Sequence, residues 1–190
     1  MQLLWFIQVP YWLALSTWFG GVLFLALAAP VVFRTVRAAD PTLPRVLSVN
    51  LEGQHATLLA GGIVNDILQL VGRIQLYAAA VLVLCVLAQW LVLPRSSDVL
   101  LLQGIRSTLL LAAVGLAVYG YRVVMPKVQE KRDTYIRHAD EPDVANPASD
   151  AFDRYHAESV FVLRSTLFLL VGLILFSAGI TADTMTTISF

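Results

Sequence analysis

The chain has 190 residues, of which 58% are hydrophobic and only 14% are charged. Its mean hydropathy is +0.74, whereas only about half of an average soluble domain is apolar. The formal net charge is zero, so the composition excludes the concentrated basic face that nucleic-acid binding requires. The one cysteine, Cys85, excludes an internal disulfide and a Cys-x-x-Cys motif. These features predict an all-α integral membrane protein, a single domain over 1–190, with the lipid bilayer as its first partner.

Four apolar runs are long enough to cross the hydrocarbon core of a bilayer, which is about 30 Å thick. The first contains Ala26-Leu27-Ala28, as a cleaved signal peptide would, but no basic residue precedes it and Arg34 and Arg37 follow it as a stop-transfer signal. We therefore expect it to remain as the first span. The predicted spans cover residues 3–33, 74–93, 99–124 and 159–180.

Prolines predict where the first two long helices end. Asp40-Pro41-Thr42-Leu43-Pro44 ends the first, because prolines fix the backbone dihedrals and remove donors. A loop or short surface helix is expected from there to Gly53. Residues 54–93 contain no proline and would form a helix longer than a bilayer needs, so we expect only 74–93 to span. The short turn at 94–98 makes the second and third spans antiparallel neighbours.

After the third span, Pro126 predicts a kink or an exit from the helix. Residues 127–138 are highly charged and predict a helical extension into water, and 139–147 predict a mobile loop. Ser149 or Asp150 is expected to cap the last helix. The predicted fold is a four-transmembrane-helix bundle in which helices 2, 3 and 4 extend on the cytoplasmic side, through connections 34–73 and 125–158.

The distribution of lysine and arginine among the connections predicts the orientation in the membrane. The second connection carries only Arg95, and both terminal segments carry no basic residue. The first connection carries Arg34, Arg37, Arg45 and Arg73, and the third carries Arg122, Lys127, Lys131, Arg132, Arg137 and Arg154. We therefore expect the first and third connections in the cytoplasm and both termini outside.

A polar stripe interrupts the long apolar run of residues 54–93. Spacings of three, four and seven residues place Asp66, Gln69 and Arg73 on one helix face. Asp66 lies seven residues before Arg73, and His156 lies eight residues before Arg164. At the helical rise of about 1.5 Å per residue, Asp66 and His156 are therefore at nearly the same height if Arg73 and Arg164 are. We predict a polar cluster at the cytoplasmic membrane face, built from Asn65, Asp66, Gln69, Arg73, His156, Ser159 and Arg164. The alternative is that the arginines reach lipid phosphates and that acid–base pairs only lock helices together.

Three kinds of chemistry are weighed against this cluster. His55 and His156 each start a long helix on the cytoplasmic side, so a two-histidine site for haem b or copper is an alternative. An enzyme is disfavoured, because Ser159 and His156 lack the nucleophile elbow and oxyanion hole of a hydrolase. Transport is disfavoured as well, because Ser16, Thr17 and Cys85 are too mild to define a route through the middle of the spans.

Several residues together resemble an uncharacterised four-helix membrane family. They are Trp18-Phe19-Gly20-Gly21 with Phe24, Ala29-Pro30 with Phe33, Ala60-Gly61-Gly62, Arg106 with Met125-Pro126, and Phe152 with His156 and Ser159. That family includes bacterial proteins of unknown function and a eukaryotic protein linked to platinum-drug tolerance, and its layout is similar to the copper-resistance D membrane domains. The resemblance implies His156 and Ser159 as functional positions and implies the inner membrane of a bacterium; it implies no established activity.

The sequence therefore predicts an accessory, structural or stress-tolerance membrane protein that works with a membrane-protein partner or as a homo-oligomer. Small residues at helical spacing, such as Ser16 with Gly20 and Ala113 with Ala117, allow the close helix approach that this role needs. The alternative is a haem- or metal-binding, copper-related redox or transport protein that uses His156 and His55.

Overall fold

The computed structural model describes residues 2–43, 51, 53–93 and 96–188, with the side chains of 5–43, 51, 53–93 and 96–180. The predicted loop to Gly53, with Arg45, and the turn around Arg95 fall largely outside these residues. The elements are α1 Gln2–Ala38, α2 His55–Val92, α3 Ser97–Tyr119, a π-helical segment Gly120–Val124, α4 Met125–Arg137 and α5 Pro142–Ile188.

Within this described part of the chain, four helical stretches are long and apolar enough to cross a membrane. The prediction of an all-helical chain with four spanning-length helices is confirmed to that extent. The stretches are Trp5–Ala38, His55–Val92, Ser97–Arg137 and Pro142–Ile180.

α1 ends where the prolines predicted. Asp40 takes a positive φ of 42° directly before Pro41, a conformation that aspartate tolerates better than most residues. The amide N–H groups of Ala39 and Asp40 donate to the last carbonyl groups of α1 at 3.2–3.3 Å, which satisfies the helix end.

Of the kink or exit expected at Pro126, the exit does not occur, because α4 continues to Arg137. Proline lacks an N–H and its ring clashes with the carbonyl four residues earlier. The chain accommodates Pro126 in the first turn of α4 by widening the preceding turn, and the Met125 N–H donates to the Gly120 carbonyl five residues back. The helical path therefore continues from α3 through α4.

The mobile loop predicted for 139–147 is wrong, and so is the cap at Ser149 or Asp150. α5 already begins at Pro142, because proline suits a first helical turn, where its missing N–H would be unpaired anyway. Asp143 then favours the same end through the helix dipole. Alanines spaced three residues apart bury one face of this first part of α5 and outweigh the cost of Pro147 inside the helix; they are Ala145, Ala148 and Ala151.

The chain divides into two compact units. Unit 1 contains Met1–Val22, Arg73–Val118 and Leu163–Phe190, and unit 2 contains Leu23–Gly72 and Tyr119–Val162. The prediction of a single domain over 1–190 stays a prediction.

Unit 1 has an apolar core to which α1, α2, α3 and α5 all contribute. Its fully buried members include Leu15, Trp18, Leu82, Ala113, Leu170 and Leu173. Trp90 donates to Ser107 at 3.0 Å, and Leu93 packs with Val99. Contacts that advance along α2 while they retreat along α3 show that these two helices are antiparallel in unit 1, as the short connection predicted.

In unit 2, α4 lies antiparallel to the first half of α2. The Arg132 guanidinium donates to the Leu58 carbonyl at 2.8 Å, and Tyr135 donates to Gln54 at 2.9 Å. A third hydrogen bond joins Gln129 to Asn65. The three bonds fix the charged helix α4 to α2 and to Gln54, the residue directly before α2.

Candidate functional site

Unit 1 buries a group of polar side chains. Arg106 on α3 is only 1% exposed, and Gln89 on α2 and Gln103 on α3 are 0% and 2% exposed. The whole buried polar set of the described residues is Gln75, Gln89, Gln103, Arg106, Thr166 and Ser177. Because buried polar groups need partners, this set is the best candidate for a functional site.

One nitrogen of Arg106 organises the site. Its Nη2 donates to Gln103 Oε1 at 2.6 Å and also to Gln89 Oε1. Arginine carries donors and no acceptor, so both amide oxygens must face it and both amide NH2 groups must point elsewhere. The orientation of the two glutamine amides is thus determined by the chemistry of Arg106.

Three buried nitrogen atoms are left without a hydrogen-bond partner among the described residues. They are Arg106 Nε, Gln89 Nε2 and Gln103 Nε2. All three are donors, and each belongs to a guanidinium or amide group that takes part in the Nη2 contacts. Leaving a buried donor unpaired costs about 1–3 kcal/mol, so this site holds a surplus of donors over acceptors.

The charge of Arg106 has no carboxylate partner in the described part of the chain. Ion pairs within 4.0 Å join Lys131 to Glu130 and, when His138 is protonated, His138 to Glu141, and both lie in unit 2. Asp98 is the acidic residue of unit 1 whose side chain is described, and it accepts a hydrogen bond from Ser97 at 3.3 Å. The site around Arg106 therefore has a net positive charge.

Tyr11 on α1 compensates that charge in part. The Arg106 guanidinium lies over the Tyr11 ring at 5.2 Å from its centre, where the negative face of the ring attracts a cation. The Ser177 hydroxyl donates to the Leu173 carbonyl at 2.5 Å. Since a hydroxyl has one proton, the hydrogen bond between Tyr11 and Ser177 must be donated by Tyr11. The Arg106 network thus connects α1, α2, α3 and α5.

A second polar contact joins α1 to α2 in the same unit. The Trp18 indole N–H donates to Gln75 Oε1 at 3.1 Å, and both side chains are buried. An indole has one N–H and no acceptor, so this bond satisfies Trp18 completely.

The residues of the predicted cytoplasmic cluster are divided between the two units. Asp66, Arg73, His156 and Arg164 are exposed, and Arg73 and Arg164 belong to unit 1 whereas the other five belong to unit 2. Asn65 accepts a hydrogen bond from Gln129 of α4 at 3.2 Å, so its partner comes from α4 and not from α5. Ser159 donates to the His156 carbonyl of its own helix at 2.7 Å. In the described part of the chain, no contact joins Asp66 to His156, and their proximity stays a prediction.

His55 and His156 make separate contacts. His55 Nδ1 accepts the Leu43 N–H at 3.1 Å, and the His156 ring stacks on Phe152 with 5.7 Å between ring centres. Among the residues that the structure describes, no three His, Cys, Asp or Glu side chains are grouped to hold a metal ion. The predicted haem or copper role of His156 and His55 stays a prediction.

Sequence reasoning missed the site around Arg106. The sequence singled out Arg106 only through the family resemblance, and Gln89 carries no charge that would mark it. Gln89 lies near the end of the second predicted span, and Gln103 and Arg106 lie near the start of the third, where no site was predicted; all three are buried. The available signal was three long polar side chains within apolar helices, since such residues normally face the interior of the helix bundle.

Comparisons of this chain with protein-family models, with curated proteins and with solved structures give no match. The resemblance to the four-helix membrane family therefore stays an expectation.

Proposed function

We propose that this chain is an integral membrane protein with four spans and an accessory role, built around the Arg106 network. The observation that supports membrane insertion is the inverted surface of unit 1. Leu91, Phe168 and Phe6 are 86%, 76% and 77% exposed, whereas Arg106, Gln89 and Gln103 are buried. Large apolar side chains outside and polar ones inside suit a hydrocarbon solvent and would be unstable in water.

The proposed spans are 3–33, 74–93, 99–124 and 159–180 in a four-helix bundle. Arg106 then lies about 10 Å inside the third span at helical rise. The first and third connections lie in the cytoplasm, and the second, third and fourth spanning helices extend there beyond the bilayer. A charge at that depth costs about 3 kcal/mol or more, which explains why four helices converge on Arg106.

The accessory role rests on the charged surface of α4. Bonds to Leu58, Gln54 and Asn65 fix one side of α4 on α2, while Asp133 and Arg137 on the same helix stay exposed. A helix that is held in place by hydrogen bonds and presents exposed charged side chains suits docking of a membrane-protein partner or of a second copy. The Ser159 proton is engaged by a backbone carbonyl, which supports a role other than that of a nucleophile.

Affinity capture tests the accessory role. The tagged full chain is purified in mild detergent, and its mass and stoichiometric partners are measured by light scattering and mass spectrometry. We expect an oligomer or one partner, and we expect charge reversal by Asp133→Arg with Arg137→Glu to release it. The charge exchange Asp153→Arg with Arg154→Asp, at two exposed residues of α5, is the matched control. A monomer that carries no partner would disprove the accessory role and leave membrane insertion to its own test.

A second candidate is a haem- or metal-binding role for His156. The ring nitrogens of His156 make no hydrogen bond with other described residues, whereas His55 has only Nε2 free because its Nδ1 accepts the Leu43 N–H. Neutral imidazole is the commonest metal ligand in proteins, and His156 has a ring nitrogen available for that role. Metal analysis and an absorbance scan test this role, with His138→Ala as the control for His156→Ala. Less than one metal equivalent and no Soret band would reject it.

A further inference from the structure

The three unpaired donors of unit 1 belong to one local arrangement. Arg106 Nε, Gln89 Nε2 and Gln103 Nε2 have no acceptor in the described part of the chain. Their parent groups are joined through Arg106 Nη2, which faces both amide oxygens. Each unpaired nitrogen therefore belongs to an amide or guanidinium group that takes part directly in the hydrogen bonds of Arg106 Nη2.

What such a site requires is an acceptor. A water molecule would accept hydrogen bonds but would leave the Arg106 charge uncompensated, and the Tyr11 ring compensates it only in part. An anion supplies acceptors and neutralises the charge together. We propose that unit 1 binds a small monovalent anion, a halide or an ion of similar size, between Arg106, Gln89 and Gln103.

The charge of the anion follows from its surroundings. Arg106 contributes one positive charge, so one negative charge balances the site. Because Arg106, Gln89 and Gln103 are at most 2% exposed, the ion would bind without most of its hydration shell, and unpaired N–H donors of these side chains would replace part of that shell. This inference goes beyond the accessory role and is independent of whether a partner exists.

Bromide is the probe for this site. The full chain is purified in detergent with sodium gluconate and then titrated with sodium bromide at constant sodium concentration, while the unfolding temperature is measured. We expect a saturable rise in Tm for the natural sequence, because a ligand that binds the folded state stabilises it. In Gln89→Leu, which removes one donor to the ion, the half-saturating bromide concentration should rise about tenfold.

Two variants separate an anion from water. Arg106→Met removes the charge and should abolish the bromide effect. Gln103→Glu keeps an oxygen acceptor for Arg106 and adds the missing negative charge, so its Tm in gluconate should rise and bromide should no longer change it. Arg122→Met removes an exposed arginine of the π-helical segment and should keep the full bromide effect.

The inference is overturned if bromide and gluconate give the same Tm for the natural sequence, because water then suffices as the acceptor. It is also overturned if Gln103→Glu retains the bromide effect. Gln103→Glu alone decides the question if Arg106→Met does not fold, since it preserves the contact with Arg106. Failure of these tests would leave the affinity-capture result unchanged, so the two proposals fail separately.

Discussion

The guanidinium carbon of Arg106 on α3 lies 5.2 Å from the centre of the Tyr11 ring on α1. Tyr11 in turn donates a hydrogen bond to Ser177 on α5, while Arg106 donates to Gln89 on α2. Two residues that are far apart in the sequence thus link all four spanning-length helical stretches. A substitution at either residue should consequently weaken the packing of several helices in unit 1.

Gln89→Leu should destabilise unit 1 by about 3 kcal/mol, because it takes an acceptor away from a buried charge. The free energy of unfolding is measured by denaturant titration in detergent. In an Arg106→Met background the same substitution should cost much less, since a double-mutant cycle isolates the energy of the pair. Gln69→Leu is the matched control on α2; it lies half-buried in unit 2 and should change stability by about 0.5 kcal/mol at most. Equal costs for Gln89→Leu in both backgrounds would contradict the network.

Tyr11→Phe should cost about 1 kcal/mol, the usual net value of one buried hydrogen bond. The ring and its contact with the Arg106 guanidinium remain, so the loss reports the hydrogen bonds of the Tyr11 hydroxyl. Once Ser177→Ala is present, Tyr11→Phe should cost less, and the difference reports the bond to Ser177. Tyr77→Phe is the control, because Tyr77 is 76% exposed. If Tyr77→Phe and Tyr11→Phe give the same change in unfolding free energy, the hydrogen bond between Tyr11 and Ser177 does not stabilise unit 1.

The helices could be predicted from the sequence because apolar runs and prolines act locally. The end of α1 at Ala38 is an example, since Pro41 restricts Asp40, the residue before it, whatever the rest of the chain does. The start of α5 could not be predicted in this way. Pro142 and Pro147 suggest a loop, but burial of Ala145 and Ala148 outweighs that local preference, because tertiary packing routinely overrides propensity.

The Arg106 network could not be predicted for a different reason. Helical spacing does place Gln103 and Arg106 on one face of α3. Nothing in the spacing tells which face of α2 or α1 meets them, so Gln89 and Tyr11 remain unconnected until the helices are packed. The same limit applies to Asn65, whose partner Gln129 comes from α4. Prediction from periodicity identifies faces, and only packing identifies pairs.

Gly120→Ala should destabilise unit 2 by about 1 kcal/mol. A methyl group on Gly120 would lie 3.0 Å from Val162 Cγ1, closer than packed carbon atoms tolerate, and overpacking costs about 1–3 kcal/mol. Gly115→Ala is the matched control on α3, because nothing lies within 4 Å of its added methyl. That control should be stabilising by about 0.5–1 kcal/mol through its helix propensity. The difference is read from Tm, and Val162→Ala should reduce the cost of Gly120→Ala. A stabilising effect of both glycine substitutions would show that Val162 moves freely.

Membrane sidedness can be tested with single cysteines in a Cys85→Ala background. Ser96 precedes α3 and Asp133 lies on α4, and both side chains are exposed. If the first and third connections are cytoplasmic, as the excess of basic residues predicts, an impermeant maleimide added to intact cells should label Ser96→Cys and spare Asp133→Cys. Permeabilised cells supply the control, because both cysteines should then react. Labelling of Asp133→Cys in intact cells together with protection of Ser96→Cys would reverse the orientation. Labelling of both in intact cells would contradict a chain that crosses the membrane between the two positions.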